Sequence, residues 1–310
     1  MHDKNKAKIK WNIILLMIAL CSISIRLLMH YRFDQSALLY IAVPFCIALI
    51  LTWLVKPNPN KSWKKQFFNL SIISLIIMLG SSIVLFEGFI CVIMFMPIYF
   101  FVIFLVFIFK YLSEKFRNRK TNQLFSHVLP IILILSAFEG THPELSIQRH
   151  NTVLVTQIID SNIEQIMNKL NAPIYLQKDR DWFLELFPMP YKIKATNLRK
   201  GEVHEIYFRY HRWFITNTQE GSMKMKIENV EHNQIETSFV ADTSYIAKYL
   251  KLKSLKLKFI PITHEKTQIE FSISYERLLD PAWYFDPLQR YGVTKSIEFL
   301  LDEVVNPYEN

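Results

Sequence analysis

Long apolar runs dominate the first 138 of the chain's 310 residues, and shorter alternating patterns follow them. A helix needs about 20 apolar residues to cross the hydrocarbon layer of a bilayer. The runs cover residues 11–29, 36–55, 67–86, 89–109 and 126–138. The first four meet that length, whereas the fifth is shorter, contains Pro130, and either spans a thin region, tilts little or re-enters. The pattern predicts a transmembrane region at 1–138 and a soluble domain at 139–310.

Positive charge is concentrated in the predicted membrane region, which holds 15 of the 36 Lys and Arg but 4 of the 27 Asp and Glu. The basic residues cluster before the first run, between the second and third, and after the fourth, which places the N-terminus inside. This indicates a bacterial cytoplasmic (inner) membrane protein with the bilayer as a partner. The C-terminal domain lies on the outer side if the fifth run crosses, and in the cytoplasm if it does not.

Apolar positions after residue 139 alternate with polar ones, a period typical of half-buried strands. The clearest case is 267–277, where Ile269, Phe271, Ile273 and Tyr275 share one face. The same reasoning predicts strands at 152–159, 202–213, 222–230, 234–240 and 254–260. Residues 160–170 are predicted to form a short helix with Ser161 or Asn162 as its N-cap.

The period changes near the end of the chain, where one stripe of apolar residues predicts a long amphipathic helix. The stripe consists of Val293, Ile297, Leu300, Leu301 and Val304. Pro287 suits its first turn, because proline lacks the N–H that remains unpaired there. The order of elements predicts an α+β domain in which an antiparallel sheet wraps around the C-terminal helix. A concave, largely apolar cavity between them would bind a small molecule.

Signatures of catalysis, metal binding and nucleic-acid binding are missing from the sequence. His204 and Glu205 begin like a zinc-protease motif, but Phe208 occupies the position of the second histidine. The region after residue 138 has no cysteine and a slight excess of acidic residues, which excludes a cysteine-bound metal and disfavours nucleic acid as a partner. We therefore expect no catalytic residue, no metal and no cofactor.

Several local strings resemble the START-like, or SRPBCC, superfamily in its polyketide cyclase/dehydrase-like branch. The strongest runs from Tyr275 to Phe285 and continues to Arg290; weaker ones lie at 187–190, 201–208, Trp213 and 220–221. The chain is similar to bacterial membrane-tethered members, over about residues 147–306. The resemblance implies a helix-grip fold that binds its ligand between the sheet and the last helix.

Candidate cavity residues follow from the strand register and from the aromatic junction after Asp280. Arg277 continues the apolar face of its strand, so its guanidinium either contacts a ligand or forms a salt bridge at the strand end. The complete set of ligand-cavity candidates is Tyr275, Arg277, Trp283, Tyr284, Arg290, His211 and Trp213. Trp283 and Tyr284 either rim the cavity mouth, rest at the bilayer interface, or pack beneath the last helix.

Three functions are compatible with these patterns. The leading hypothesis is a membrane-anchored START-like domain that binds a hydrophobic or amphipathic, lipid-like small molecule near the membrane surface. The second is a cyclase or dehydratase acting on a hydrophobic substrate, which requires a polar pair such as Arg277 with His211 or Tyr275 inside the cavity. The third is a non-enzymatic assembly module, which a large exposed apolar patch would favour.

Overall fold

The computed structural model describes residues 35–54, 62–84, 89–115, 125–176, 180–195, 197–213 and 216–304. These residues form two compact units. The first unit contains the described residues up to Ile147, together with Leu279–Tyr284. The second contains Gln148–Leu278 and the described residues from Phe285 onward. The segment between the last strand and the last helix therefore belongs to the first unit.

The described part of the first unit is mainly helical. A π-helical turn, Leu38–Ala42, precedes the helices α1 (Val43–Leu54), α2 (Trp63–Val84), α3 (Phe89–Lys115) and α4 (Phe125–Ser136), and a 3-10 turn follows at Pro143–Leu145. Apolar side chains such as Phe45 and Ile103 are buried within this unit, as is the ring of Tyr99. Their burial supplies most of the favourable free energy of this unit.

The predicted multi-pass membrane region is contradicted by the described helices. Over the residues that the structure describes, no helix combines the length and the apolar content that a membrane span requires. At two of the predicted spans the reason is length, since 36–55 divides into a π-helical turn and the 12-residue α1, and 126–138 contains most of the 12-residue α4. Twelve helical residues extend about 18 Å, against a hydrocarbon core of about 30 Å. The predicted inner-membrane location is contradicted with it, and run 11–29 lies outside the described residues.

The segment before the last helix is held within the first unit by hydrogen bonds to its loops. The Asp280 N–H donates to Gln35 O at 2.9 Å. The Ser146 hydroxyl donates to Asp280 Oδ2 at 3.3 Å. The Ala282 N–H donates to Glu139 Oε1 at 2.8 Å. Because Asp280 is fully buried, these bonds satisfy polar groups that would otherwise be costly to remove from water.

The second unit is built on an antiparallel sheet of eight described strands. They are β1 (His150–Ile159), β2 (Ile174–Tyr175), β3 (Met189–Lys194), β4 (Val203–Trp213), β5 (Thr216–Glu231), β6 (Gln234–Asp242), β7 (Leu250–Pro261) and β8 (Thr267–Arg277). Their order across the sheet is β1-β8-β7-β6-β5-β4-β3-β2. The first and last strands of the chain are therefore neighbours, and consecutive strands pair over the rest of the sheet.

Three described helices accompany the sheet: α5 (Ile163–Leu170), α6 (Trp182–Glu185) and α7 (Ala282–Val304), the last of which begins in the first unit. Helix α5 begins with a capping box, since Asn162 Oδ1 accepts from the Gln165 N–H at 2.9 Å and Gln165 Oε1 accepts from the Asn162 N–H at 3.1 Å. Asn162 is therefore the N-cap, one of the two residues that the sequence offered.

The core of the second unit lies between β8 and α7. Every second residue of β8 is buried, and the buried side chains pack with Val293, Ile297 and Leu301 of α7. This sheet and terminal helix are consistent with the START-like arrangement that the sequence predicts. An open pocket lies beside β4 and β5.

Candidate functional site

Strands β4 and β5 and the 3-10 turn Tyr245–Lys248 border a pocket with a volume of about 130 Å³. The strand register pairs Phe208 with Gly221 and Tyr210 with Gln219. Residues directly opposite each other in antiparallel strands project from the same face of the sheet. Both pairs therefore line the pocket, and their positions are set by backbone hydrogen bonds.

The inner wall of the pocket is aromatic. Phe208, Tyr210 and Tyr245 are buried. The rings of Tyr210 and Tyr245 are stacked, with centroids 4.8 Å apart and an interplanar angle of 23°. Tyr249 meets Tyr245 edge-on at 5.6 Å. These ring contacts hold the wall in one orientation and present a flat, apolar surface to the pocket.

Tyr249 also connects the pocket wall to the last helix. Its carbonyl oxygen accepts hydrogen bonds from the Leu278 N–H at 3.1 Å and from Gln289 Nε2 at 3.1 Å. Gln289 is buried on α7, so this bond is shielded from water and strengthened by its low-dielectric surroundings. Hydrogen bonds therefore connect the pocket wall both to the residue that follows β8 and to α7.

The rim of the pocket is polar. Gln219, Glu220 and Lys248 line it and are exposed. Arg209 Nη2 lies 3.2 Å from Glu220 Oε1, and the Lys248 ammonium lies 4.5 Å from the centroid of the Tyr245 ring. Exposed ion pairs contribute less than about 1 kcal/mol to stability. The Glu220 carboxylate pairs with Arg209 on the opposite face of the two strands, whereas the Lys248 ammonium lies beside the aromatic wall of the pocket.

Gly221 allows the backbone to close one side of the pocket. A Cβ at this position would lie 2.6 Å from Thr243 O and 2.8 Å from Ser244 Cα. The Thr243 N–H donates to Ser222 O at 2.8 Å, and the Ser222 N–H donates to Thr243 Oγ1 at 3.0 Å. These bonds hold the two segments together, and only glycine fits at the contact.

Asp242, at the end of β6, supports the pocket residue Ser244. The Ser244 N–H donates to Asp242 Oδ1 at 2.8 Å. Burial raises the pKa of Asp242 above its ordinary value of 3.8, while hydrogen bonds from Ser244 lower it. Burial has the larger effect because it penalises the charged carboxylate.

We expect Asp242→Asn to stabilise the protein slightly at pH 7 and to have little effect near pH 3. Because the folded-state pKa is raised, the stability that Asp242 contributes is present below its unfolded pKa and is lost as pH rises through the folded pKa. The asparagine retains an oxygen that accepts from the Ser244 N–H. Urea denaturation at both pH values measures the difference, and an equal effect at the two would contradict this explanation.

The structure places Tyr275 and Arg277 in the core, on the inward face of β8. Tyr275 and Arg277 are fully buried, and neither belongs to the lining of the pocket. Burial raises the pKa of Tyr275 to about 12; the Asp286 carboxylate adds to this shift, and the charges of Arg290 and Arg277 oppose it. Tyr275 therefore lies close to charged groups of α7.

The Arg290 side chain connects α7 to β1 through hydrogen bonds. Its Nε donates to Asp286 Oδ2 at 2.9 Å, and its Nη2 donates to Asn151 Oδ1. The Asn151 Nδ2 in turn donates to Asp286 Oδ1 at 2.6 Å. Asn151 is buried and is paired with Tyr275 across β1 and β8. The three side chains form a closed network whose position indicates a role in orienting the helix.

Trp283 and Tyr284 lie in the first unit, where they contact α3. The Trp283 ring is 53% exposed and meets Phe101 edge-on at 6.0 Å. The Tyr284 hydroxyl donates to Met94 O at 2.6 Å, and burial raises the pKa of Tyr284 to about 12. Neither residue lines the pocket.

The buried Tyr275 and the half-buried Tyr284 should respond differently to loss of the hydroxyl. Among the described residues the Tyr275 hydroxyl has no hydrogen-bond partner, whereas that of Tyr284 bonds to Met94 O. We expect Tyr275→Phe to be as stable as the wild type or up to about 1 kcal/mol more stable, and Tyr284→Phe to lose about 1 kcal/mol. Chemical denaturation of both variants checks this, and equal losses would contradict it.

The remaining predicted residues, His211 and Trp213, lie on β4, where they pair with Thr218 and Thr216 of β5. Their side chains lie outside the described part of the structure. Of the strings that carried the family resemblance, Pro188, Phe208 and residues 220–221 line the pocket.

The sequence predicted none of the residues that line this pocket as a ligand contact. Tyr245 and Lys248 lie in a short 3-10 turn between β6 and β7. In such a short turn, the spacing of apolar and polar residues does not show which side chains point inward. The available signal was the pair of aromatic residues Phe208 and Tyr210 at a spacing of two on β4, which predicts a shared face.

The lining can supply contact surface and hydrogen bonds. It combines aromatic rings, the hydroxyls of Thr243 and Ser244, an amide and one ammonium. Within the described ranges no group of three or more His, Cys, Asp or Glu side chains is placed to hold a metal ion.

No family model matches the sequence, and no curated protein sequence matches it. Solved structures similar to the chain include a START superfamily protein from Mycobacterium smegmatis, with 13% identity and a TM-score of 0.34 over 49% of this chain and 92% of that one. They also include the Zhui aromatase/cyclase from Streptomyces sp. R1128, with 11% identity and a TM-score of 0.32 over 50% and 93% of the two chains.

A third similar structure is the major latex-like protein 151 from Panax ginseng, with 15% identity and a TM-score of 0.26 over 49% of this chain and 97% of that one. The structural neighbours thus include START-superfamily and cyclase proteins. Similarity at these TM-scores does not identify a family or a function for this chain. The membrane-tethered part of the predicted resemblance has no support in these neighbours or in the described helices.

Proposed function

We propose that the second unit binds a small amphipathic molecule in the pocket between β4, β5 and the 3-10 turn. The apolar end of the molecule packs against Phe208, Tyr210 and Tyr245, and its polar end remains at the rim near Lys248. The observation that carries this proposal is the combination of a buried aromatic wall with an exposed polar rim. Sites for small molecules in proteins typically pair apolar walls with a few converging polar groups.

The volume of the pocket limits the part of the ligand that it encloses. An apolar cavity of about 150 Å³ is large enough to hold benzene, and this pocket measures about 130 Å³. A single aromatic ring or a short branched alkyl group therefore fits, and any larger remainder extends past the rim. Stacking against a tyrosine wall favours a flat ring.

Binding is the function that the pocket geometry supports better than a cyclase or dehydratase reaction. The reaction would require a polar pair inside the cavity, and the sequence offered Arg277 with His211 or Tyr275. Arg277 and Tyr275 lie in the core on β8, away from the pocket lining. The lining groups suit recognition of a ligand.

A titration with 4-fluorobenzoate tests the proposal, with ¹⁹F NMR of the ligand as the readout. This probe places a ring in the pocket and a carboxylate at the rim near Lys248. For a ligand of this size we expect a Kd on the order of 1 mM, which corresponds to about −4.1 kcal/mol.

A variant that blocks the pocket and a matched control make the titration specific. Gln219→Trp adds an indole at an exposed position facing the pocket, and it should weaken binding at least about tenfold. Lys224→Trp adds the same group at an exposed position on the opposite face of β5 and should leave the Kd unchanged. Equal binding by both variants, or no binding by the wild type, would overturn the proposal.

A further inference from the structure

The two edges of the sheet in the second unit differ greatly. One edge is β2, which has two residues, and the other is β1, which has ten. Natural proteins protect exposed edges with very short strands, charged residues or proline, because an unpaired edge can pair with another strand. Strand β1 contains no Lys, Arg, Asp, Glu or Pro. It is therefore a long edge that lacks these protections.

The backbone of β1 offers a regular row of hydrogen-bonding groups on its outer side. The Arg277 N–H donates to Arg149 O at 2.7 Å, which shows that the odd-numbered residues of this segment bond to β8. In an antiparallel pair alternate residues direct their N–H and C=O groups toward the partner strand. Those of Thr152, Leu154, Thr156 and Ile158 therefore point away from β8.

Two apolar side chains on β1 are exposed in the described part of the structure. Leu154 is 59% exposed and Ile158 is 58% exposed. Their cross-strand neighbours on β8 are Ser272 and Gln268, so the adjacent strand gives them no apolar contact. An apolar pair beside backbone groups that point away from β8 is what an added β-strand would cover.

We propose that β1 pairs antiparallel with β1 of a second copy of this chain, so that the sheet continues across a twofold axis. When residue 154 faces residue 156 of the other copy, His150 faces Asp160 at both ends of the pair. The Asp160 side chain is 81% exposed and lies 3.0 Å from Lys266, so its second oxygen is available at the surface. Between these ends the pair is uncharged, which removes the like-charge repulsion that would oppose self-association.

The mass of the full chain in solution, measured by light scattering after size exclusion, tests this proposal. We expect the wild type to have the mass of two chains. The double variant Leu154→Lys with Ile158→Lys places four like charges at the interface and should raise the dimer dissociation constant at least about 100-fold. Thr156→Pro removes one outward N–H without touching the bonds to β8 and should also yield a single-chain mass.

Val240→Lys is the matched control, because Val240 is a 55% exposed apolar residue on β6 and lies away from this edge. It should retain the mass of two chains. Circular dichroism of each variant establishes that the sheet is intact. A wild type with the mass of one chain, or a dimer that survives both edge variants, would overturn the proposal. Neither result bears on binding at the pocket.

Discussion

Replacing Gly140 with alanine is expected to destabilise the first unit by roughly 3 kcal/mol. Gly140 has a φ of +79°, and a residue with a Cβ pays about 1–2 kcal/mol in this left-handed region. Its Cβ would also lie 2.1 Å from Asp280 Oδ2. Asp280 is fully buried and bonded to Gln35 and Ser146, so it can move only by breaking those bonds, which adds about 1–3 kcal/mol.

Gly201 provides the control for the backbone contribution alone. Its φ is +90°, but nothing lies within 4 Å of a Cβ built there. Gly201→Ala should therefore cost only about 1 kcal/mol. Calorimetric unfolding of both variants separates strain from the clash with Asp280. If both substitutions lower the free energy of unfolding by the same amount, a clash with Asp280 does not add to the destabilisation by Gly140→Ala.

Replacing Ile297 with alanine is expected to destabilise the second unit by about 3 kcal/mol. Ile297 is fully buried on α7 and packs in one cluster with Phe271 and Ile273 of β8. Truncating a fully buried isoleucine removes apolar contacts and leaves a cavity, which together cost about 2–5 kcal/mol. Chemical denaturation should show the loss as a lower midpoint.

The neighbouring residue Glu298 provides the control for Ile297. Its carboxylate pairs with Lys295 at 2.8 Å at the surface of the same helix, an arrangement that contributes about 0.5 kcal/mol or less. Glu298→Ala should therefore leave the denaturation midpoint nearly unchanged. If Ile297→Ala is equally mild, α7 does not close the core against β8.

The half-buried elements of the second unit could be predicted because burial on one face imposes a period. The alternation at 267–277 predicts β8, and every second residue there is buried. The stripe of Val293, Ile297 and Leu301 predicts the inward face of α7. The helix begins earlier than Pro287 indicates, at Ala282, with Pro287 inside it at the cost of one helical hydrogen bond.

At the runs 36–55 and 126–138 the membrane prediction failed because counting apolar residues treats each run as one helix that is long enough to span. The run 36–55 includes the π-helical turn Leu38–Ala42, and the run 126–138 ends its helix at Ser136. Hydropathy reports how apolar a segment is, but it does not report where the backbone hydrogen-bond pattern changes.

The pocket could be predicted only in part. The sequence places Phe208 and Tyr210 on one face of β4, but the other wall comes from Tyr245, in a turn that carries no periodic pattern. The two walls meet because Gly221 allows β5 to approach residues 243–244. Such a contact depends on tertiary structure and leaves only a lone glycine as its signal in the sequence.

The position of a bound heavy atom tests the proposed pocket most directly. A crystal of the full chain soaked with 4-bromobenzoate places a strong anomalous scatterer at the end of the ring opposite the carboxylate. We predict a bromine peak enclosed by Phe208, Tyr210 and Tyr245, with the carboxylate at the rim near Lys248. A bromine peak between β8 and α7, or an empty pocket at saturating ligand, would contradict the account.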